Sequence, residues 1–468
     1  MTEQPTDPAE IFDAQAALVP DRRVSFDFSA RRDALLRLKQ AIIAREGAII
    51  EAIGADFGKH PVEVRLTEIV PIYQEIGDAL RHLRRWMRPK RVMPGLTMFG
   101  TSGRIQPTPK GTSLIIAPWN FPFMLALGPL VSALAAGCSA VIKPSEMTPA
   151  TSAVIADVIA EAFEPDLVAV VQGGPDVANA LLEQPFDHIF FTGSPAVGKI
   201  VMAAAAKTLA SVTLELGGKS PVVVGPEANV HKAAKWIAWG RFINAGQTCV
   251  APDHVYVHES IHDALADALR ARITKMYGTD PTQSPALAKI INPRHWARLT
   301  GLIADAEGKG ATRAIGTSDE ASRKISPTIL LDTQPDMEIS REEIFGPVLP
   351  LIKYSDLSDV IGQINDAPHP LALYVFGDAE TADRVTNGTT SGSVGVNLTI
   401  LPVIHPNLPF GGVGNSGMGA AHGKAGFDAF SHLRPVLQNR FIALPMIFPP
   451  YTSRVEKLSK FLLRFVGR

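Results

Sequence analysis

The chain has 468 residues, of which 46% are hydrophobic, and its formal net charge is −1. This length exceeds what one hydrophobic core usually organises, so two or three domains are expected. The near-zero charge and the lack of runs of like charge exclude the electrostatic footprint of a nucleic-acid-binding protein, and small molecules are the expected partners.

Cysteine content and the N-terminal sequence favour a cytoplasmic location. Two cysteines cannot form a disulfide framework, and the polar start MTEQPTDPAE lacks the basic and apolar regions of a signal peptide. Prolines, an asparagine and glycines interrupt the apolar stretch 112–137, so it falls short of the roughly eighteen apolar residues that a spanning helix requires. We therefore expect a protein of the reducing cytoplasm.

In chain order, hydrophobic periodicity predicts helices first and parallel sheets afterwards. Residues 31–57 and 64–86 carry apolar side chains at helical spacing. Residues 89–110 are rich in Pro, Gly and Thr without a helical period, and are predicted to leave the main body. From residue 112, short β-branched runs alternate with alanine-rich runs, the pattern of a doubly wound parallel sheet. A second such series begins near Gly217 and predicts a second α/β domain.

Two short motifs suggest other chemistry but lie in the wrong context. Residues 411–417, GGVGNSG, have the G-x-G-x-x-G spacing of a dinucleotide site, yet they follow HPNLPF where a strand is required. Residues 258–262, HESIH, match the zinc-protease motif, but the preceding HVYVH alternates like a strand. The two histidines are therefore predicted to lie on different elements, and no metal is expected.

Cys249, in GRFINAGQTCVAPD, is the candidate nucleophile, although an isolated cysteine is more often a buried apolar residue. Other segments supply the groups that a nucleophile needs. Glu215, in LELGGKSP, is either a general base or the ion-pair partner of Lys219. Asn120, in PWNFPF, is either an oxyanion donor or a turn residue.

Further polar groups follow predicted strands. KPSE places Lys143 and Glu146 where they can either grip ribose hydroxyls or form an exposed ion pair. FFTGS places Gly193 and Ser194 before a helix, whose N-terminus suits a phosphate. EEIFGPVLP, residues 342–350, adds an acidic pair, an aromatic ring and a Gly-Pro turn.

The motifs PWNFPF, KPSE, FFTGS, LELGGKSP, GQTC, EEIFGPVLP and LPFGGVGNSGMG occur in this order over most of the chain. Together they resemble the aldehyde dehydrogenase superfamily. The C-terminal sequence LPFGGVGNSGMGAAHGKAGFDAFSH is similar to its class 3 branch, which includes fatty and aromatic aldehyde dehydrogenases. The resemblance implies an α/β fold of three parts. These are a Rossmann-like NAD(P)-binding domain (1–88 and 111–216), an α/β catalytic domain (217–425), and a small β bridging or oligomerisation element with the C-terminal tail (89–110 and 426–468).

The resemblance also implies NAD(P)-dependent oxidation of an aldehyde to a carboxylic acid through a thiohemiacetal and a thioester on Cys249. The Asn120 amide and the Cys249 N–H would hold the oxyanion, and Glu215 would activate the hydrolytic water. The cofactor-binding residues implied are Lys143, Glu146, Trp119, Gly193, Ser194, Glu343 and Phe345. The Glu146 carboxylate would repel a 2′-phosphate, which favours NAD⁺, although similar class 3 enzymes also accept NADP⁺.

Phe121, Met124 and Phe242 suggest an apolar tunnel for medium-chain, long-chain or aromatic aldehydes, with packing in the core as the alternative. Residues 453–468 alternate apolar and basic side chains at helical spacing. This segment is expected to dock on its own protein or on the partner subunit of a homodimer, with peripheral membrane contact as the alternative.

Three other functions remain open from the sequence. The first is an acylating enzyme that transfers the thioester to coenzyme A, against which Glu215 argues. The second is a non-catalytic relative that kept the fold. The third is a metalloprotein that uses HESIH.

Overall fold

The computed structural model describes residues 7–95, 98–441, 445 and 448–466. The first part of the chain is helical, as the periodicity predicted. Its helices are α1 (Pro8–Ala17), α2 (Val19–Ser25), α3 (Phe28–Ala44), α4 (Glu46–Phe57), α5 (Pro61–Val64) and α6 (Val70–Met87), with a π-helical turn, Arg65–Ile69, before α6. Asp27 caps α3 by accepting a hydrogen bond from the Ala30 N–H at 3.0 Å. Strands β1 (Lys90–Val92) and β2 (Thr101–Pro109) follow and pair with each other.

The first sheet alternates strands with helices. The strands are β3 (Thr112–Ile116), β4 (Ser139–Lys143), β5 (Val168–Val170), β6 (His188–Gly193) and β7 (Ser211–Leu216), and the helices between them are α7 (Pro122–Ala136), α8 (Pro149–Ala162), α9 (Pro175–Leu182) and α10 (Pro195–Thr208). Each of these helices begins with a proline, whose fixed φ suits the first helical position. The strand order β7-β6-β3-β4-β5 is parallel throughout. The predicted doubly wound sheet is confirmed.

The second sheet is also mostly parallel. Its strands are β8 (Pro221–Val224), β9 (His254–His258), β10 (Thr312–Ile315), β13 (Thr328–Leu331), β14 (Val348–Tyr354), β15 (Ala372–Phe376) and β16 (Ser393–Val396), and a separate hairpin joins β11 (Ser318–Asp319) to β12 (Lys324–Ile325). The helices are α11 (Val230–Phe242), α12 (His262–Tyr277), α13 (Pro293–Gly308), α14 (Glu338–Arg341), α15 (Leu357–Asp366) and α16 (Ala379–Gly388). The order is β10-β13-β14-β9-β8-β15-β16, with β10 antiparallel to β13.

The C-terminal part returns to elements formed much earlier in the chain. Its elements are α17 (Leu401–Ile404), β17 (Gly417–Met418), α18 (Gly423–Ala429), β18 (Ser431–Asn439) and α19 (Ser453–Val466). Strand β17 pairs antiparallel with β7, and β18 pairs with β2 over nine residue pairs to complete a three-stranded sheet with β1.

One predicted boundary differs from the structure. Residues up to 425 were assigned to the catalytic domain with the second sheet, but Gly417 lies opposite Glu215 in the first sheet. The Phe427 ring, on α18, packs in the hydrophobic core that α3, α6 and α7 form beside that sheet. Residues 417–430 therefore pack with the first sheet, because β17 pairs with β7 and the apolar side chains of α18 lie in the adjoining core.

Candidate active site

Cys249 lies in a tight turn that follows α11. Asn244, Ala245 and Gly246 have φ values of 52°, 51° and 72°, the left-handed region that non-glycine residues rarely adopt. A Cβ on Gly246 would lie 2.3 Å from the Gly346 carbonyl oxygen, so this position requires glycine. Such strain is found at sites where the surrounding structure fixes a functional conformation. Cys249 is partly exposed and lines a cavity of about 370 Å³.

Cys138 differs from Cys249 in its surroundings. It is fully buried, and its Sγ donates to the Phe430 carbonyl oxygen at 3.3 Å. Cys138 packs in the hydrophobic core, whereas Cys249 faces a cavity, so the structure agrees with a packing role for Cys138.

Asn120 is tied to the cysteine turn. Its Nδ2 donates to the Gln247 carbonyl oxygen at 3.1 Å, and Asn244 donates to the Asn120 carbonyl oxygen at 2.8 Å. Asn120 is 3% exposed, so its amide has little freedom to move. One Nδ2 hydrogen makes the bond to Gln247, which leaves the second for an oxyanion next to Cys249.

Glu215 ends β7 and lines the same cavity as Cys249. Its side chain is buried, and Oε1 has no hydrogen-bond partner among the described residues. Lys219 does not pair with it, because the Lys219 ammonium lies 2.5 Å from Asp253 instead. Burial raises the pKa of Glu215 to about 7, with His422 lowering it and Glu75 raising it further. A carboxyl group that titrates near neutrality can accept a proton from a thiol or from water.

The surroundings of Cys249 disfavour the thiolate. Burial raises its pKa to about 12, and the negative charges of Glu215 and Glu343 act in the same direction. Reactivity therefore requires a base that removes the proton as the sulfur attacks, and Glu215 lines the same cavity.

The residues predicted to grip an adenosine ribose lie at the end of β4. The Lys143 ammonium is 2.7 Å from the Glu146 carboxylate, and the Glu146 side chain is partly exposed. Lys143 itself is buried, which holds this ion pair at one position. A cation and a carboxylate at a parallel strand end match the donors and acceptors of a ribose diol, so the pair fits a dinucleotide.

Aromatic and backbone groups extend this surface. Ser194 caps α10 by accepting from the Val197 N–H at 3.4 Å, and Gly193 immediately precedes it. The Trp119 ring lies edge-on to the Phe345 ring, with centroids 5.3 Å apart. A helix N-terminus with a hydroxyl cap and two half-buried aromatic rings fits a diphosphate and the adjoining rings.

Glu343 lies against the Gly217-Gly218 turn. A Cβ on Gly217 would be 2.4 Å from Glu343 Oε2, and the Gly218 N–H donates to this carboxylate. Burial raises the pKa of Glu343 to about 7, and the negative charge of Asp253 raises it further. A carboxylate held this tightly by glycine backbone fits a ribose hydroxyl.

The cavity beside Cys249 is lined mainly by apolar side chains. Phe121 and Met124 line it, as predicted, together with Leu66, Trp239, Val250, Met276, Tyr277, Ala286, Ile400, Val403 and Phe410 among others. The prediction for Phe242 is wrong: this residue is 1% exposed and packs in the core of the second sheet. Phe242 is the last residue of α11 and lies on the helix face that points into the core. Its closeness to Cys249 in the sequence does not reveal whether its side chain faces the core or the cavity.

Comparisons with known proteins identify the family to which this chain belongs. A profile of the Aldehyde dehydrogenase family matches residues 9–436. The chain is 43% identical to 4,4'-diaponeurosporen-aldehyde dehydrogenase of Staphylococcus aureus over 93% of this chain and 95% of the relative. It is 44% identical to aldehyde dehydrogenase family 3 member B1 of Rattus norvegicus over 86% of each. The solved substrate-bound state of Staphylococcus aureus AldH superposes with a TM-score of 0.93 at 41% identity, covering 97% of this chain and 99% of that chain.

The chain belongs to the aldehyde dehydrogenase family. It is an NAD(P)-dependent enzyme that oxidises aldehydes. The class 3 resemblance is confirmed, since family 3 members from mammals are among the relatives.

Sequence reasoning missed two residues of this aldehyde dehydrogenase site. His422 lines the substrate cavity, and its Nδ1 lies 2.7 Å from Glu75 Oε1. Glu75 is on α6 and His422 directly precedes α18, so the two are 347 positions apart. His422 lies in the C-terminal segment that resembles the class 3 branch but was given no role there, and no local pattern connects it with Glu75.

The HESIH motif does not form a metal site. His258 ends β9 and bonds to Ser260, whereas His262 begins α12 and contacts Asp263. Within the described ranges, no group of three or more His, Cys, Asp or Glu side chains is arranged to hold a metal ion.

Among the helices described, none is long and apolar enough to cross a bilayer.

Proposed function

We propose that this enzyme oxidises apolar aldehydes of medium or long chain, or with an aromatic ring, to carboxylates by hydrolysis of a thioester on Cys249. The observation that carries the proposal is that Cys249 and Glu215 open on one apolar cavity while Asn120 is bonded to the residue two positions before Cys249.

The chain's own groups account for the covalent steps. Glu215 takes the thiol proton, and Sγ attacks the aldehyde carbon to give a thiohemiacetal. The Asn120 amide and the Cys249 N–H stabilise its oxyanion. A bound dinucleotide would supply the hydride acceptor that the oxidation of this adduct requires. Once Glu215 has released the thiol proton to solvent, it takes a proton from the water that attacks the thioester. The C–S electrons return to Sγ, which takes the proton of the nascent acid, and the carboxylate leaves.

Lys143, Glu146, Trp119, Gly193, Ser194, Glu343 and Phe345 are the residues that would hold the dinucleotide. We propose NAD⁺ as the preferred form, because the Glu146 carboxylate, which the resemblance assigns to the adenosine ribose, would repel a 2′-phosphate. The ratio of kcat/KM for NAD⁺ and NADP⁺ tests this, and Glu146→Gln should shift the ratio toward NADP⁺.

The apolar cavity supports an extended hydrophobic substrate. The Staphylococcus aureus relative is named 4,4'-diaponeurosporen-aldehyde dehydrogenase, and we propose that this chain likewise takes an extended apolar aldehyde. A series of aliphatic and aromatic aldehydes should show kcat/KM rising with apolar surface.

Cys249→Ala is the test of the proposed chemistry. Aldehyde-dependent NADH formation should fall by at least about a thousandfold, and Cys138→Ala should leave it near the parent value. Activity that survives Cys249→Ala contradicts the proposal. A rate that rises strongly with coenzyme A would instead support acyl transfer.

We also propose a cytoplasmic homodimer. Both cysteines are free, in keeping with a reducing compartment. Helix α19 is amphipathic and exposes Leu463 and Val466, and we place this face against the enzyme's own surface or its partner, with anionic membrane as the alternative. Sedimentation with anionic vesicles, compared between the full chain and a chain ending at Thr452, separates these two.

A further inference from the structure

His422 is held in one orientation next to Glu215. Its backbone φ is 68°, in the left-handed region, and the Phe410 ring lies 5.7 Å from its imidazole. Glu75 Oε1 accepts from Nδ1 at 2.7 Å, and Glu75 Oε2 accepts from the Gly423 N–H at 3.2 Å. Both carboxylate oxygens of Glu75 are therefore occupied in fixing the ring, and Nδ1 carries the proton of this hydrogen bond, which leaves Nε2 to accept another.

A side cavity of about 30 Å³ adjoins the substrate cavity at this point. Its lining is mostly apolar but includes Glu215, His422, Glu75, Ser132 and Gln74, and the Gln74 side chain is exposed. This volume holds one or two water molecules, and these five polar side chains supply hydrogen-bond partners for them. Glu215 Oε1 has no hydrogen-bond partner among the described residues.

The charges around His422 favour its taking up a proton. Burial by itself lowers the pKa of His422, but the hydrogen bond and charge of Glu75, together with the charge of Glu215, raise it above its usual value. Asp78 on α6 adds a further carboxylate near Gly423, and Lys424 on α18 is engaged with Asp428.

We propose that His422, oriented by Glu75, carries the proton away from Glu215 through the side cavity to solvent at the Gln74 end. This inference rests on the proposed hydrolytic function. Glu215 first loses the proton that it took from the thiol by this same route. The water that attacks the thioester then gives one proton to Glu215 while its oxygen bonds to the carbonyl carbon, and the C–S electrons return to Sγ, which takes the remaining proton of the nascent acid. The proton then passes from Glu215 through cavity water to His422 Nε2, and the imidazolium releases it to bulk water. His422 and Glu75 are positioning residues that act through Glu215.

The test measures the lifetime of the acyl-enzyme. We use His422→Asn, because asparagine tolerates a positive φ and its amide can still donate to Glu75. Quenched samples are examined by intact-protein mass for the acyl adduct on Cys249, and the initial NADH burst is followed by stopped flow. His422→Asn should lengthen the adduct lifetime and lower kcat about tenfold or more while retaining the burst. His231→Asn, an exposed histidine on α11, is the matched control and should match the parent.

Two further measurements distinguish a relay from structural damage. Added imidazole should raise kcat of His422→Asn more than that of the parent. Glu75→Gln should lower kcat less than His422→Asn does. The double variant should have the kcat of His422→Asn alone, because both residues act on one proton route.

Three results would overturn the inference: an unchanged adduct lifetime, loss of the burst together with kcat, or strict additivity of the two substitutions. Failure of the proposed function is seen separately, as the absence of any acyl adduct in the parent enzyme.

Discussion

At the scale of single residues, the site is a set of acidic groups that share one poorly solvated space. Burial raises the pKa values of Cys249, Glu215 and Glu343, and the charge of each carboxylate raises that of the thiol. Ionising one of them therefore makes the next ionisation harder. This arrangement favours moving a single proton from thiol to carboxylate over holding a permanent thiolate, and it explains why a base and a nucleophile open on one cavity.

The buried carboxyl of Glu215 should make stability depend on pH. Because burial raises its folded-state pKa to about 7, the unfolded chain loses this proton first, and stability falls as pH rises from about 4.5 to 7. Above pH 7 the buried, ionised Glu215 carboxylate lowers the free energy of unfolding by a constant amount of about 3 kcal/mol. Glu215→Gln should therefore raise the Tm at pH 8 and leave it nearly unchanged at pH 5, measured by differential scanning fluorimetry. Glu227→Gln, at an exposed site, is the control. An equal effect at both pH values would contradict the assignment.

Ala286 offers a residue-scale test of substrate size. It lines the substrate cavity together with Met276 and Tyr277. Ala286→Phe should fill part of this space and lower kcat/KM for a long-chain aldehyde by about ten- to a hundredfold, with little change for propanal. Steady-state kinetics with both aldehydes check this, and Ala321→Phe, in an exposed turn, should affect neither. Equal losses of kcat/KM for both aldehydes would show that the added ring disturbs the catalytic groups and does not act by excluding the longer substrate.

At the scale of elements, one wall of the cavity depends on a buried ion pair. Lys59 follows α4, Glu68 lies in the π-helical turn, and their 2.8 Å contact has no exposed surface on either side chain. Glu68 Oε2 also accepts from the Met124 N–H in the first turn of α7, and the Lys59 ammonium lies 4.5 Å from the centroid of the Phe121 ring. The pair therefore fixes the start of α7, and with it Asn120, relative to the helices that wall the cavity.

Removing one partner of this pair should be costly. Lys59→Met leaves the Glu68 carboxylate buried without its cation, and we expect a loss of about 3–5 kcal/mol. Arg65→Met removes an exposed pair with Glu46 and should cost less than about 1 kcal/mol. Thermal unfolding of both variants and of Lys59→Met/Glu68→Gln provides the comparison. The double variant should recover part of the loss, and a loss no larger than that of Arg65→Met would contradict this account.

The sequence predicted the local parts of this architecture and missed contacts between distant segments. Alternating β-branched and alanine-rich runs predicted the parallel sheets, and seven motifs predicted the family. The pairing of β17 with β7 and the contact of His422 with Glu75 join segments more than two hundred residues apart. Hydrophobic periodicity reports only on the strand or helix in which it occurs, so it cannot reveal such contacts. Phe242 was misplaced for a related reason, since composition does not reveal which face of α11 meets the core. The roles assigned to Cys249, Glu215 and Asn120 stay predictions until the variants are measured.

At the scale of the whole molecule, β1, β2 and β18 form a sheet separate from the two large sheets. Val92, Leu433 and Leu437 on its strands and Met93 just after β1 are exposed, and such a group of apolar side chains marks an interaction surface. This surface agrees with the bridging role that the resemblance implied for 89–110 and 426–468, and we expect it to lie at the homodimer interface.

Charge placed on this surface should prevent dimer formation. Leu433→Glu/Leu437→Glu should convert a dimer to a monomer in light scattering coupled to size-exclusion chromatography, because two carboxylates per subunit would be buried at the contact. Leu209→Glu, on a leucine that is 90% exposed after α10, is the matched control and should stay dimeric. A parent protein that elutes as a monomer, or a double variant that remains dimeric, would contradict this interface.

The late return of the chain to its first sheet governs when the enzyme can become active during synthesis. Strand β17 and His422 are made some two hundred residues after Glu215, which they adjoin, and β18 is made after all of these. A nascent chain that has already emerged through Cys249 still lacks one edge strand and one wall of its own reaction chamber. The Cys249 thiol thus leaves the ribosome well before the cavity around it is complete. A chain terminated before residue 417 should be inert toward aldehydes even though it carries Cys249, Glu215 and Asn120, the residues that we propose as nucleophile, base and oxyanion donor.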